Sequence, residues 1–203
     1  MAKALEYAIF NTDMGWVGIL ASLRGLVKVT LPQDSAQEAL KLLGDMANQA
    51  IRSTESLYDI ASRLRAYFSG YRIAFPDKLD LSLASPFQRQ VFKIARLIPY
   101  SETRSYQWVA EEMGKPGAAR AVGQALARNP LPIIIPCHRV VASHGKLGGY
   151  NGGVDMKKRL LQLEGAARTR KSSLYIDGEH LLVYNLCFPR SFIEHGYLGF
   201  ARF

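Results

Sequence analysis

Asn129-Pro130-Leu131-Pro132-Ile133-Ile134-Ile135-Pro136-Cys137-His138-Arg139-Val140-Val141 is the stretch from which the rest of the chain can be read. Three isoleucines end at a proline, and the next three side chains are a thiol, an imidazole and a guanidinium. An apolar run of this kind belongs in a core, so the reactive groups are delivered where the chain leaves it. Cysteine is the most nucleophilic ordinary side chain, but only as thiolate, a form favoured by a neighbouring base or cation. Two readings are open here: Cys137 as a reacting group, or Cys137 as packing.

Upstream, Ser85-Pro86-Phe87-Gln88 places Ser at the N-cap, Pro at N1 and Gln at N3, a capping box that starts a helix. Phe87, Val91, Ile94, Ala95 and Ile98 form its apolar face, and Pro99 stops it. Ser105 caps a short helix over Tyr106–Met113, Gly114-Lys115-Pro116-Gly117 turns, and Ala118–Arg128 forms a second helix with a small apolar side. This is a helix-turn-helix pattern. Alone it is a weak signal, since many such hairpins bind nothing; Arg104, Lys115, Arg120 and Arg128 give it weight. Downstream, residues 145–153 form a glycine-rich loop without the spacing of a phosphate-binding loop. Asp155 then caps a helix carrying Met156, Leu160 and Leu163, with Glu164 in its last turn and Gly165 at its end. A carboxylate is disfavoured near a helix C-terminus, so Glu164 either has a partner or stands exposed.

The first 80 residues read as a separate α+β unit. Residues 5–12 and 15–22 form a hairpin around Asp13-Met14-Gly15, and Gly25–Leu31 adds a third strand before Pro32. Residues 34–47 and 53–68 have helical periodicity, the second with Leu57, Ile60, Leu64 and Phe68 in one stripe. This unit has no Cys and no His. The expected division is 1–80, 81–165 and a tail, 166–203, where Asp177-Gly178 suggests a hairpin and Cys187 a small apolar filler.

At 203 residues the chain suits one large or two modest domains. No apolar run approaches the roughly 20 residues of a membrane span, and the N-terminus has no export signal. Two cysteines are too few for a disulfide framework, which suits a reducing compartment. The net charge of +9 is uneven. Residues 1–80 hold nine basic and nine acidic side chains, residues 81–165 twelve against five, and the tail five against three. A basic segment beside a neutral one points to a polyanion such as nucleic acid. A zinc site is disfavoured, because Cys137 and His138 have only His144 near them and no Cys-x-x-Cys exists. A Cys hydrolase would need His138 as base with Glu164 behind it. Adjacent residues on an extended chain face opposite ways, so proton transfer there needs a bridging water.

Pro136-Cys137-His138-Arg139-Val140 resembles the active-site motif of the O6-alkylguanine-DNA alkyltransferases. Ile98-Pro99-Tyr100, Ser105-Tyr106, Ala118 to Gly123, Asn129-Pro130, Gly149-Tyr150 and Leu163-Glu164-Gly165 fall in the family's order and spacing. The resemblance is dense over residues 85–165, and a short neutral domain in front also fits. It implies an α+β fold: a small ribonuclease-H-like domain with a three-stranded sheet, then a mostly helical domain with a helix-turn-helix. It also implies direct-reversal repair, with the alkyl group of O6-alkylguanine (and O4-alkylthymine) moved irreversibly onto Cys137. His138 would take the thiol proton through a water, Glu164 would orient His138, and Asn129 would organise the turn before the cysteine. Tyr106 would crowd the 3′ phosphate and protonate guanine N3. Arg120 would fill the stack vacated by a flipped base, with Ala119, Gly123 and Arg128 against the DNA. Val140, Tyr150, Asn151 and Pro132 would line the guanine pocket. No cofactor and no metal are expected; the partner is double-stranded DNA, bound by a monomer with cooperativity left open. The setting would be the cytoplasm at the nucleoid, or a nucleus in a eukaryote. Asn151 stands where many relatives have a small residue, which would narrow the pocket. A non-enzymatic helix-turn-helix regulator is the competing reading.

Overall fold

The computed structural model describes residues 5–142 and 146–166. A sheet of four strands lies at the N-terminal end: β1 (Glu6–Thr12), β2 (Gly15–Ser22), β3 (Gly25–Val29) and β4 (Ile51–Arg52), in the order β3-β2-β1-β4. The hairpin expected around Asp13-Met14-Gly15 is present, with Thr12 opposite Gly15 and Glu6 opposite Ala21. The fourth strand corrects the expectation of three. Only two residues long, it pairs parallel to β1 through Glu6↔Ile51 and Tyr7↔Arg52, too short for an alternation pattern to reveal.

The expected helix over 34–47 is two. α1 (Ala36–Leu43) is capped by Ser35, whose side chain accepts from the Glu38 amide, and α2 spans Asp45–Asn48. Between them Gly44 adopts φ +82°, ψ −170°, outside helical space, a conformation open to glycine alone at little cost. α3 (Tyr58–Phe68) starts later than the expected residue 53. The Ser53 amide instead donates to the Tyr7 carbonyl, and Ser53 and Ser56 pair their hydroxyls.

The sheet is covered on both faces. Leu20, Val27, Leu43 and Ala47 pack one side under α1 and α2. Ala8, Phe10, Val17 and Ile19 face the other way, into a larger core shared with α3 and the second half of the chain. That half contains α4 (Pro86–Ala95), β5 (Arg104–Ser105), α5 (Tyr106–Glu112), α6 (Ala119–Ala127), β6 (Val140–Val141) and α7 (Gly153–Ala166). The α4 capping box is complete, with Ser85 and Gln88 each bonding the other's backbone. Ser105 caps α5 through the Trp108 amide. α7 begins two residues before Asp155 and runs through Gly165 rather than stopping there; near its end the Ser101 hydroxyl donates to the Glu164 carbonyl from outside the helix. The fold is thus mixed α/β: a small sheet and several helices. The backbone also crosses between halves, since the Val29 amide donates to the Pro130 carbonyl at 2.9 Å. The proposed hairpin at 177–178 and the rest of the tail lie outside the described residues.

Candidate active site

The segment from Asn129 to Val141 is buried as expected, but it is not an extended chain on which Cys137 and His138 would face opposite ways. It folds back on itself, the Ile135 amide donating to Leu131 O, and Cys137–Arg139 form one 3-10 turn. Asn129 holds the loop shut. Its Oδ1 accepts from the Leu131 amide at 3.0 Å, while its Nδ2 donates to Ile135 O at 2.8 Å and reaches Cys137 Sγ at 3.1 Å. Ile133, buried at the turn, sits at φ +74°. A β-branched residue there costs on the order of 1–3 kcal/mol, offset by burial of the three isoleucines and by the Asn129 bonds. Because the turn is 3-10, successive side chains are not thrown to opposite faces. Cys137 and His138 still diverge, the thiol toward a cleft and the imidazole into the core.

His138, Glu164 and Arg139 form a buried network. His138 and Glu164 are both 0 % exposed, with Nε2 to Oε1 at 2.7 Å. Arg139 grips both carboxylate oxygens, Nε at 3.0 Å from Oε2 and Nη2 at 2.9 Å from Oε1, and donates Nη1 to Ile98 O at 2.7 Å. The Ser101 amide adds a bond to Oε2 at 3.1 Å from a left-handed backbone, φ +66°. Burial pushes the Glu164 carboxyl upward, but the hydrogen bonds and charge from the His138 and Arg139 side outweigh it and hold it well below the ordinary range. Burial likewise lowers His138, against the pull of Glu164. We read the ring as neutral at pH 7, which leaves Arg139 as the fixed countercharge. Since a carboxylate can only accept, Nε2 carries the hydrogen and Nδ1 the lone pair. Nδ1 has no partner among the described residues.

Cys137 is raised by burial, partly opposed by the Asn129 amide, the Tyr150 phenol and the charge of Lys157. It therefore rests as a thiol and needs a base to react. It lies at the floor of a cleft of about 460 Å³ lined by Tyr106, Ala119, Arg120, Gly123, Tyr150 and Asn151, among others. β5 and β6 pair in parallel, Arg104 with Val140 and Ser105 with Val141, which fixes the start of α5 beside the cysteine turn. The Tyr106 hydroxyl faces the loop wall, 3.3 Å from Gly149 O. Arg120 projects exposed from α6 over the cleft, and Arg128 is exposed at the far end of that helix.

The structure thus brings Cys137, Asn129, His138 and Glu164 together, and places Tyr106, Ala119, Arg120, Gly123, Tyr150 and Asn151 around the opening. Val140 and Pro132 are buried behind the cleft and do not line it, and the Val140 carbonyl is taken by Lys157 Nζ at 2.6 Å. Four residues of the network carried no role in the sequence reading. Arg139 and Ser101 clamp Glu164, Tyr67 of α3 donates to Glu164 Oε1 at 2.8 Å, and Lys157 is 0 % exposed. Burial lowers Lys157 to about 8. Only Arg139 had a visible signal, a cation inside the reactive motif with a misplaced carboxylate downstream. Among the described residues no cluster of three or more His, Cys, Asp or Glu could hold a metal ion, and no helix is long and apolar enough to cross a membrane.

Comparison with known proteins gives a consistent picture. The family model for the 6-O-methylguanine DNA methyltransferase DNA binding domain matches residues 86–166. A methylated-DNA–protein-cysteine methyltransferase of Methanosarcina acetivorans is 37 % identical over 162 residues, covering 80 % of this chain and 99 % of that protein. One of Mycolicibacterium paratuberculosis is 54 % identical over 102 residues, 50 % of this chain, and there the chain spans only 61 % of its relative's length. The crystal structure of Mycobacterium tuberculosis O6-methylguanine methyltransferase superposes with a TM-score of 0.68 at 35 % identity, covering 80 % of this chain and 94 % of that one. The same organism's OGT in complex with DNA matches at 0.68 and 36 %, with the same coverage.

Proposed function

The chain belongs to the O6-alkylguanine-DNA alkyltransferase family, and from that premise we propose that it repairs DNA by moving the alkyl group of O6-alkylguanine, or O4-alkylthymine, onto Cys137 in one irreversible turnover. One observation supports this most directly: a buried thiol at the floor of an open cleft, backed by a His–Glu pair whose second ring nitrogen has no partner among the described residues. His138 Nδ1 takes the thiol proton through a water. Cys137 Sγ then attacks the alkyl carbon, the C–O6 bond breaks, and the electron pair leaves with guanine. Tyr106 donates a proton toward guanine N3, so the leaving group departs neutral. Burial, with the adjacent thiol, keeps that phenol above its ordinary value and hence protonated beforehand. The reaction needs no cofactor and no metal.

In this reading residues 81–165 form the DNA-binding and acceptor domain, with α5 and α6 as a helix-turn-helix, and residues 1–80 a ribonuclease-H-like companion; 166–203 is an extension without an assigned role. α6 lies in the minor groove, whose degenerate base code suits scanning without sequence preference. Ala119 and Gly123 let the backbone come close, and Arg128 reaches a phosphate. Taking a base out of the duplex costs a few kcal/mol, and Arg120 offsets part of that by filling the gap. Tyr150 and Asn151 flank the guanine pocket, with Val140 and Pro132 forming its support. The protein acts as a monomer on double-stranded DNA inside the cell, with cooperativity along the strand a matter for titration. A non-enzymatic regulator has no use for the buried His138–Glu164 pair.

The test is mass spectrometry after incubation with an O6-benzylguanine oligonucleotide. One benzyl group per chain on the Cys137 peptide is expected, with none on Cys137→Ala, which should still bind the oligonucleotide. A label elsewhere, or continued turnover, defeats the proposal. Arg120→Ala should slow transfer from duplex far more than from free benzylguanine; equal slowing removes it from the flipping role.

A further inference from the structure

Tyr67 stands in the last turn of α3, in the part of the chain that holds no Cys and no His. It is 0 % exposed, its hydroxyl lies 2.8 Å from Glu164 Oε1 and 3.3 Å from His138 Nε2, and the hydroxyl's partner is 97 residues away in sequence. Phe68, Phe75 and Tyr100 pack edge-on around its ring, at 5.3, 6.1 and 6.3 Å between centroids. In such a setting phenylalanine would satisfy the packing. A buried hydroxyl costs free energy unless it is bonded, so its use lies in the bond it makes.

The direction of that bond follows from the acceptor. Glu164 is ionised and can only accept, so the phenol donates. Oε1 then receives donors from three side chains, Tyr67, His138 and Arg139, the last through both Nη2 and Nε. Each added donor draws carboxylate electron density from the others. We infer that Tyr67 is a positioning residue for the alkyl transfer: its hydroxyl shares Glu164 Oε1 with His138, fixing the ring with its hydrogen on Nε2 and limiting how strongly the carboxylate draws a second proton onto it. His138 thereby stays uncharged until Cys137 yields its proton. The inference rests on the acceptor role proposed for Cys137. The groups facing His138 are Glu164 and Lys157 from α7, Tyr67 from α3, and Arg139 beside it in its own turn, while the Cys137 thiol is turned toward the cleft. Tyr100, beyond them, faces Glu164 and Arg139.

The experiment measures single-turnover transfer from benzylguanine between pH 5.5 and 9 for the wild type and Tyr67→Phe. Without the phenol, Glu164 pulls harder on His138, so the acidic limb of the rate profile should move up by roughly half a unit to one unit. That is a roughly three- to tenfold loss at a pH well below the limb's midpoint, shrinking toward it, with little change on the alkaline plateau. In a Glu164→Gln background, Tyr67→Phe should move the limb no further. A limb that stays put or moves down overturns the inference, and so does an equal loss at every pH, the mark of a merely structural residue. No transfer to wild-type Cys137 sinks the acceptor reading itself, a different result. If Tyr67→Phe does not fold, imidazole nitrogen NMR of the wild type decides: an Nε2–H tautomer beside a slowly exchanging Tyr67 hydroxyl proton is expected, and an Nδ1–H tautomer overturns it.

Discussion

Replacing Arg139 by alanine removes the guanidinium that answers a fully buried carboxylate. Among the described residues, Glu164 has ion-pair contacts with His138, read as neutral, and with Arg139. Breaking one side of a buried pair costs about 3–5 kcal/mol. The stranded Glu164 has an escape, because it can take up a proton. Protonating a carboxyl of ordinary pKa about 4.3 at pH 7 costs about 3.7 kcal/mol, at about 1.36 kcal/mol per unit, which caps the penalty of the stranded charge itself, while the stabilisation that the wild-type pair gives Glu164 is lost in addition. The expected deficit at pH 7 is therefore about 3–5 kcal/mol, or roughly 6–20 °C in Tm for a chain of this size. Because protonation limits the damage, the deficit should shrink by about 1.4 kcal/mol for each unit the pH falls. Urea unfolding of both proteins at pH 7.5, 6 and 5 measures it, with equal m-values as the check on two-state behaviour. Arg139→Lys keeps the charge without the fork and should fall between. A deficit under about 1 kcal/mol at pH 7, or one constant from pH 7.5 to 5, would refute this account of Glu164.

Asn129→Ala strands the Leu131 amide and the Ile135 carbonyl and removes the hydrogen bond to Cys137 Sγ. At about 1–3 kcal/mol per unsatisfied buried group, it should lose about 2 kcal/mol or more and raise the pH midpoint of Cys137 alkylation; an unchanged midpoint rejects the thiol contact. Gly25→Ala should destabilise by about 2 kcal/mol or more, since Gly25 sits at φ +133° and a Cβ there would lie 2.3 Å from Lys78 O. Chemical denaturation checks it, an unshifted midpoint being the contrary result. Wild-type stability should have a plateau from about pH 6.5 to 8. His138 is lowered in the fold, so the unfolded chain binds the extra proton and stability falls below about 6.5, with Glu164 adding a second loss below about 4.3. Above about 8 two buried groups oppose each other: the raised Cys137 thiol ionises first in the unfolded chain and lowers stability, while Lys157, lowered to about 8, sheds its proton first in the fold and raises it. Unchanged stability from pH 7 down to 5 contradicts this.

What could be read from sequence was local. The Ser85 box and the Ser105 cap are decided within three or four residues, and both are where their hydrogen bonds require. Gly44 was equally visible, but a glycine inside a periodic run does not announce whether it will be tolerated or will break the helix. β4 has two residues and exists only because β1 lies beside it. Cys137 and His138 read as extended because nothing next to them in sequence marks a turn, whereas Asn129, eight residues before Cys137, bonds across the loop and closes it. Tyr67 was invisible: nothing near residue 67 hints at a carboxylate at 164. Glu164 itself was legible as an anomaly, a charge at the wrong end of a helix, and the missing half of that observation was Arg139.

The carboxylate of Glu164 is met by side chains or amides from residues 67, 101, 138 and 139. At a ribosomal rate of about 5–20 residues per second, Glu164 is made roughly 5–20 s after Tyr67. Until then Cys137 is an ordinary cysteine of a growing chain, without its oriented imidazole. A nascent chain therefore cannot spend the Cys137 thiol before the site is whole, and competence arrives with the last helix to be synthesised among the described residues.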